Sequence, residues 1–181
     1  MPRADAVRNR QRILTAARAA FAAEGPAVSL DDVARRAEVG PGTVHRHFPT
    51  KDALFAAVIA DRLQELAALA ATHAEAPDPG PAFFDFFSHM AAEAAQNLAL
   101  SAALTDRAGI GETIRAAGHD LETALALLLR RAQDAGAVRT DLTTAELHAV
   151  MAGAVVMEQR LPETSKGRGL RLIADGLSTT R

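Results

Sequence analysis

The sequence predicts an all-α fold in which a small N-terminal three-helix unit is joined by a long helix to a helical body. Three observations carry this. Much of the 49% hydrophobic content is alanine, a strong helix former that adds little core volume. Val, Ile and Thr never gather into alternating runs, so no strand is expected. Gly and Pro fall in short clusters between segments whose apolar residues recur at helical spacing.

From Ala6 to Ala23, Ile13, Leu14, Ala17 and Phe21 repeat on one face with arginines elsewhere, and Gly25-Pro26 stops this helix. Ser29 stands just before LDDVARRA, where its hydroxyl can cap free N–H groups and Asp31 and Asp32 suit the positive first turn. A second helix is expected over about Leu30 to Ala37. Glu38-Val39-Gly40 is a tight turn. Pro41 takes the helical position that best tolerates a missing N–H, and a third helix runs to about Phe48, where Pro49 ends it. Thr50 caps a fourth, with Asp52 in its first turn, reaching about His73. AEAPDPGP, Ala74 to Pro81, is the clearest break. Beyond it, helices are expected at about 82–97, 98–108, 112–135, 143–161 and 167–178. The reading divides the chain into residues 1–50 and 51–181.

Composition bounds the function. The chain has no cysteine, which excludes a disulfide framework and a zinc-thiolate site and fits a reducing compartment. Arg3, Asp5, Arg8, Arg10 and Arg12 stand where a leader would have an apolar core, and runs such as ALALLL are far short of a membrane span. A soluble cytoplasmic protein with no membrane partner is expected. Residues 1–51 hold nine Lys/Arg against five Asp/Glu, whereas residues 52–181 hold eleven against seventeen. That asymmetry suits a polyanion-binding head on an acidic body.

Two short helices joined by a three-residue turn, the second polar and exposed, describe a helix-turn-helix. Ala34 is small where the helices must cross, the turn falls at Glu38, and Val44 is the branched anchor of the second helix. With Val33, Ala37, Val39 and Phe48 turned toward Ile13, Ala17 and Phe21, the outward set is Pro41, Gly42, Thr43, His45, Arg46 and His47. A proline and a glycine at the start let that end approach a phosphate or base edge, and the remaining side chains suit phosphates and the major groove. The Ser29 hydroxyl and Lys51 can reach flanking phosphates.

Arg12 to Val58, RILTAARAAFAAEGPAVSLDDVARRAEVGPGTVHRHFPTKDALFAAV, resembles the DNA-binding domain of the tetracycline-repressor (TetR) family of transcriptional regulators. The resemblance covers roughly the first third of the chain. It implies an all-helical homodimer with a helix-turn-helix head on each subunit and a variable, ligand-responsive body. The function expected is a repressor that binds a palindromic operator and is released by a small apolar ligand, the alternative being a DNA-binding regulator whose body responds to a protein partner or to nothing. The resemblance places Pro41, Gly42 and His45 where the family touches bases, and Ser29, Thr43, His47 and Lys51 where it holds phosphates. Two positions depart from the pattern. His45 replaces the usual tyrosine with a shorter imidazole, a group that changes charge between about pH 5 and 8. Glu38 stands where many members have glycine, so a left-handed backbone there would cost about 1 kcal/mol. With no side chain to read bases on Pro41 or Gly42, His45 and Arg46 are expected to carry the direct readout.

In the body, PAFFDFFSHMAA holds four of the seven phenylalanines. Phe83, Phe87 and Met90 share a face, with Phe84 round the cylinder from it. With Leu104, Leu121, Leu125, Leu128, Met151 and Met157 opposite, this patch is suited either to line a pocket for an apolar ligand or to pack the core. Leu147, Val150, Met151, Ala154, Val155, Met157 and Leu161 form one apolar stripe, and Leu170, Ile173, Ala174 and Leu177 another. Either the monomer buries them or a two-fold dimer does, which would set two recognition helices about 34 Å apart. The dimer reading uses Leu147, Val150, Met151, Ala154, Met157, Leu170, Ile173 and Leu177.

No enzyme is expected: there is no Gly-x-Ser-x-Gly, HExxH or phosphate-binding loop, and Gly109-Ile110-Gly111 lacks the strand and third glycine of a dinucleotide site. No cofactor follows, and no metal site either, since His45 and His47 diverge on a helix and His89 with Glu93 is only half a site.

Overall fold

The computed structural model describes residues 2–96 and 111–179, so the helix expected at 98–108, Leu104 with it, lies outside the described residues. Among the described residues there are eight α-helices and no strand. They are α1 (Pro2–Glu24), α2 (Leu30–Arg36), α3 (Pro41–His47), α4 (Lys51–Ala74), α5 (Pro79–Gln96), α6 (Glu112–Asp134), α7 (Thr144–Arg160) and α8 (Arg168–Leu177).

Side-chain caps fix three of the helix starts, at Ser29, Thr50 and Thr143. Thr50 and Thr143 accept from Ala53 N and Glu146 N, and Glu146 reaches back to the Thr143 N–H in a full capping box. A helix starting at Ala82 is corrected to one starting at Pro79. Prolines 79 and 81 both fall in its first turn, where no N–H is missed, so the break shrinks to residues 75–78. At the far end of α4 the Arg131 guanidinium donates to the Ala74 carbonyl, satisfying an orphan acceptor. An isolated antiparallel bridge, Val138 to Ser178, ties the α6–α7 loop to the end of α8.

Two hydrophobic clusters meet inside α4. Ile13, Leu14, Ala17, Phe21, Val33, Ala34, Val44 and Phe48 form one, and α4 adds Leu54, Ala57 and Val58 to it. From Ile59 onward the same helix belongs to the other cluster, packing along α6. Across their junction Arg18 of α1 grips α4: Nη2 donates to Asp61 Oδ2 at 2.9 Å, and Nη1 and Nη2 reach the two Glu65 oxygens at 3.0 and 2.9 Å. Burial alone would push the Glu65 carboxyl up, but the Arg18 and Arg62 guanidinium groups outweigh it and hold that carboxyl below its ordinary range.

The body core takes up residues from both of its apolar stretches. Phe83, Phe86, Phe87 and Met90 are all buried, in one cluster with Leu121, Leu125, Leu128 and Met151, while Phe84 is partly buried. The buried arc includes Phe86 because α5 packs against α4, α6 and α7 at once. Of the residues expected at a dimer contact, Leu147, Met151, Ala154, Leu170 and Leu177 are taken up by the monomer's own core, so they cannot face a second copy as drawn. Val150, Met157 and Ile173 are half-buried at its edge.

Candidate nucleic-acid interface

The turn between α2 and α3 is built by backbone geometry. Glu38 N donates to Arg35 O at 3.2 Å and Val39 N to Ala34 O at 3.0 Å, the pair of bonds that closes a helix through a left-handed residue. That residue is Glu38, with φ of 52°, so the strain expected from the sequence is present. Arg12 of α1 stabilises the position from outside, donating to the Glu38 carbonyl at 3.3 Å and to its carboxylate at 3.0 Å.

Packing then sets what α3 presents. Val44 is fully buried, and Val33, Ala34, Ala37 and Phe48 close around it. Pro41, Gly42, His45 and Arg46 are exposed, and Thr43 and His47 are half-buried. A Cβ built on Gly42 meets nothing, so its bare backbone faces open space. Gly40 precedes Pro41 without a side-chain cap; Pro41 has no N–H and the Thr43 N–H donates to the Gly40 carbonyl at 2.8 Å, so the Gly42 N–H is the first-turn donor left without a cap. The structure therefore brings Pro41, Gly42, Thr43, His45, Arg46 and His47 onto one short helix, with Ser29 and Lys51 at the starts of the helices on either side.

Ser29 is more committed than expected. Its hydroxyl accepts from Asp32 N at 3.1 Å and donates to Asp32 Oδ2 at 2.6 Å, so a phosphate would have to compete for that donor. The Ser29 hydroxyl, its N–H and the Arg35 guanidinium hold the Asp32 carboxyl below its ordinary range.

Two neighbours of the recognition helix were missed because sequence distance hides them. Asp31 Oδ1 lies 3.9 Å from His45 Nε2. The Arg10 guanidinium lies 5.7 Å from the centroid of the Phe48 ring, within cation–π range at the end of α3. The N-terminal arginines counted in the charge balance are the only signal that could have pointed to the second. Among the described residues no group of three His, Cys, Asp or Glu could hold a metal ion, and no helix is long and apolar enough to cross a membrane.

A seven-residue helix held by a strained turn, with polar and cationic groups outward, defines a helix-turn-helix DNA-binding protein. Residues 13–58 match the family described as bacterial regulatory proteins, tetR family, and residues 78–179 match the C-terminal domain of SbtR-like transcriptional regulators. The crystal structure of a TetR transcription regulatory protein from Mycobacterium vanbaalenii is 40% identical, covers 99% of this chain and 100% of that one, and superposes with a TM-score of 0.78. A TetR transcriptional regulator from Streptomyces coelicolor is 30% identical over 95% of this chain and 99% of its own, with a TM-score of 0.75. An HTH-type transcriptional repressor of Mycobacterium tuberculosis is 47% identical over 66 residues, which span 36% of this chain and only 34% of that protein. The chain belongs to the TetR family of transcriptional regulators, whose members are regulators of transcription and not enzymes.

Proposed function

We propose that the protein is a repressor that binds a palindromic operator as a homodimer and is released by a small apolar ligand in the body. In this reading residues 1–50 form the DNA-binding unit and residues 51–181 the regulatory and dimerisation unit. His45 and Arg46 read bases beside the bare backbone of Pro41 and Gly42, while Thr43, His47, Lys51 and Ser29 hold phosphates. The observation that carries the reading is α4, which lines both hydrophobic clusters and is gripped by Arg18 at their junction. A ligand that favours one placement of α4 shifts the head with it, and spreading two heads ends their joint hold on both half-sites.

The dimer contact supported best is the face that α7 and α8 leave outside the core. Gly153 is exposed with nothing near its Cβ position, Val150, Met157 and Ile173 lie at the edge, and Leu172 is 65% exposed. Selection from random DNA duplexes tests operator and symmetry together: a palindrome supports the reading, and no enrichment ends it. Size-exclusion chromatography with light scattering tests the dimer, which a monomer at micromolar concentration would exclude.

The close packing of Phe83, Phe86, Phe87 and Met90 with α6 favours a second reading, a DNA-binding regulator whose body answers to a protein partner or to nothing. Native mass spectrometry separates the two, since a co-purifying apolar ligand supports the first.

A further inference from the structure

The recognition helix carries one side chain whose hydrogen-bonding sense is not set by its identity. Neutral histidine has two tautomers, with the proton on Nε2 or on Nδ1, and exchanging them exchanges the donor and acceptor edges of the ring. The structure supplies a group that breaks this symmetry. Asp31, in the first turn of α2, brings Oδ1 to 3.9 Å from His45 Nε2, with both side chains exposed.

We propose that Asp31 is a specificity-determining residue of the DNA interface, holding the His45 proton on Nε2 so that Nδ1 meets the base edge as an acceptor. The inference rests on α3 being the helix that enters the major groove. An ionised carboxylate only accepts, so it favours the tautomer with N–H on its side and disfavours the one that would face it with a lone pair. At this separation the contact is electrostatic, and a water spanning the gap would act in the same sense, accepting from Nε2–H and donating to the carboxylate. Neighbouring charges are engaged elsewhere: Asp32 with Ser29 and Arg35, Arg12 with Glu38, and Arg10 over Phe48. Arg46 and His47 flank the ring on its own helix, and Lys51 stands at the start of α4.

The chemical consequence is a choice of base. In the major groove an acceptor pairs with adenine N6 or cytosine N4, whereas a donor pairs with guanine N7 and O6, thymine O4 or adenine N7, and never with cytosine. Asp31 thus makes the neutral His45 ring select adenine or cytosine.

The test is selection from random duplexes at pH 8 with the wild-type protein, Asp31→Lys, and Asp31→Lys combined with His45→Phe. Lysine only donates, so it draws the lone pair to Nε2 and leaves Nδ1–H toward the groove. Wild type is expected to enrich adenine or cytosine at one symmetry-related pair of positions, and Asp31→Lys to raise guanine or thymine there about tenfold relative to cytosine. In the His45→Phe background the lysine change should leave the preference unaltered. Identical base preferences for wild type and Asp31→Lys at every position overturn the proposal, as does a shift that persists without His45. A wild type that enriches no duplex instead removes the reading of α3, and the proposal with it. Circular dichroism spectra confirm that each variant is folded.

Discussion

Gly80, in the first turn of α5, is forbidden a side chain by a neighbour rather than by its backbone. A Cβ there would stand 2.7 Å from the Ala137 Cβ in the α6–α7 loop. Carbon atoms rest about 3.5–4.0 Å apart, so Gly80→Ala requires the helix start and the loop to separate by about 1 Å. Neither carbon is the tip of a flexible chain, so the backbone must move. Overpacking of this kind costs about 1–3 kcal/mol, offset by at most about 1 kcal/mol of helix propensity. At this chain length a net loss of about 1–2 kcal/mol lowers Tm by about 2–8 °C. Ala137→Gly removes the opposing carbon, and in that background Gly80→Ala should be neutral or stabilising, a coupling of about 1–3 kcal/mol in the double-mutant cycle. Calorimetric melts of the four proteins measure it. If Gly80→Ala alone raises Tm, an ordinary propensity gain is operating and the close approach is not the reason for glycine.

Glu38→Gly relieves the left-handed backbone, worth about 1 kcal/mol, but loses the exposed pair with Arg12, worth at most about 1 kcal/mol; denaturant unfolding should show a change between zero and a gain of about 1 kcal/mol. A loss larger than the pair's worth would mean that the turn needs Glu38 itself. Phe86→Ala, at 1% exposure in the body core, should cost about 3–5 kcal/mol in the same assay, and a loss below 1 kcal/mol would place that ring outside the core. Asp32, Asp141, Glu146 and Glu65 all have carboxyls held below their ordinary values in the folded chain. Depressed folded values mean that the stability they add is complete above the unfolded values and is lost as pH falls through the folded ones. Thermal melts should therefore hold down to about pH 5 and decline below about pH 4, and a melting temperature that rises on acidification to pH 3 would contradict these contacts. Lys51→Ala should lower the slope of log affinity against log salt by about one counterion while leaving base preference intact; fluorescence anisotropy titrations measure it, and an unchanged slope would remove Lys51 from the phosphate contacts.

The helix order and the outward face of α3 were legible because their causes are local. Ser29, Thr50 and Thr143 precede their helices, Pro41 can only start one, and Val44 with Ala34 fixes which side of the turn faces inward. Glu38 was legible too, as a residue where a glycine belongs. What could not be read depends on residues far apart in the chain. Arg18 meets Asp61 and Glu65 more than forty positions away. Asp31 meets His45 only because the turn folds α3 back across α2. In the body, periodicity identifies apolar stripes but does not say which neighbour covers them, so Leu147, Leu170 and Leu177 read equally well as core or as contact surface. Pro79 reads as part of a break because a proline that opens a helix and one that interrupts a chain look alike in isolation.

The sharing of α4 sets where the chain can be cut and rejoined. Leu54, Ala57 and Val58 complete the interior of the small N-terminal unit, so a chimera spliced just ahead of Lys51 would make the donor's recognition apparatus borrow three interior side chains from its recipient. A splice after Val58 transfers that unit with its own filling, yet it still severs the Arg18 grip, because Asp61 and Glu65 stay behind. Engineered fusions of this head therefore inherit a choice between an intact interior and an intact linkage, unless the two acidic residues travel with it.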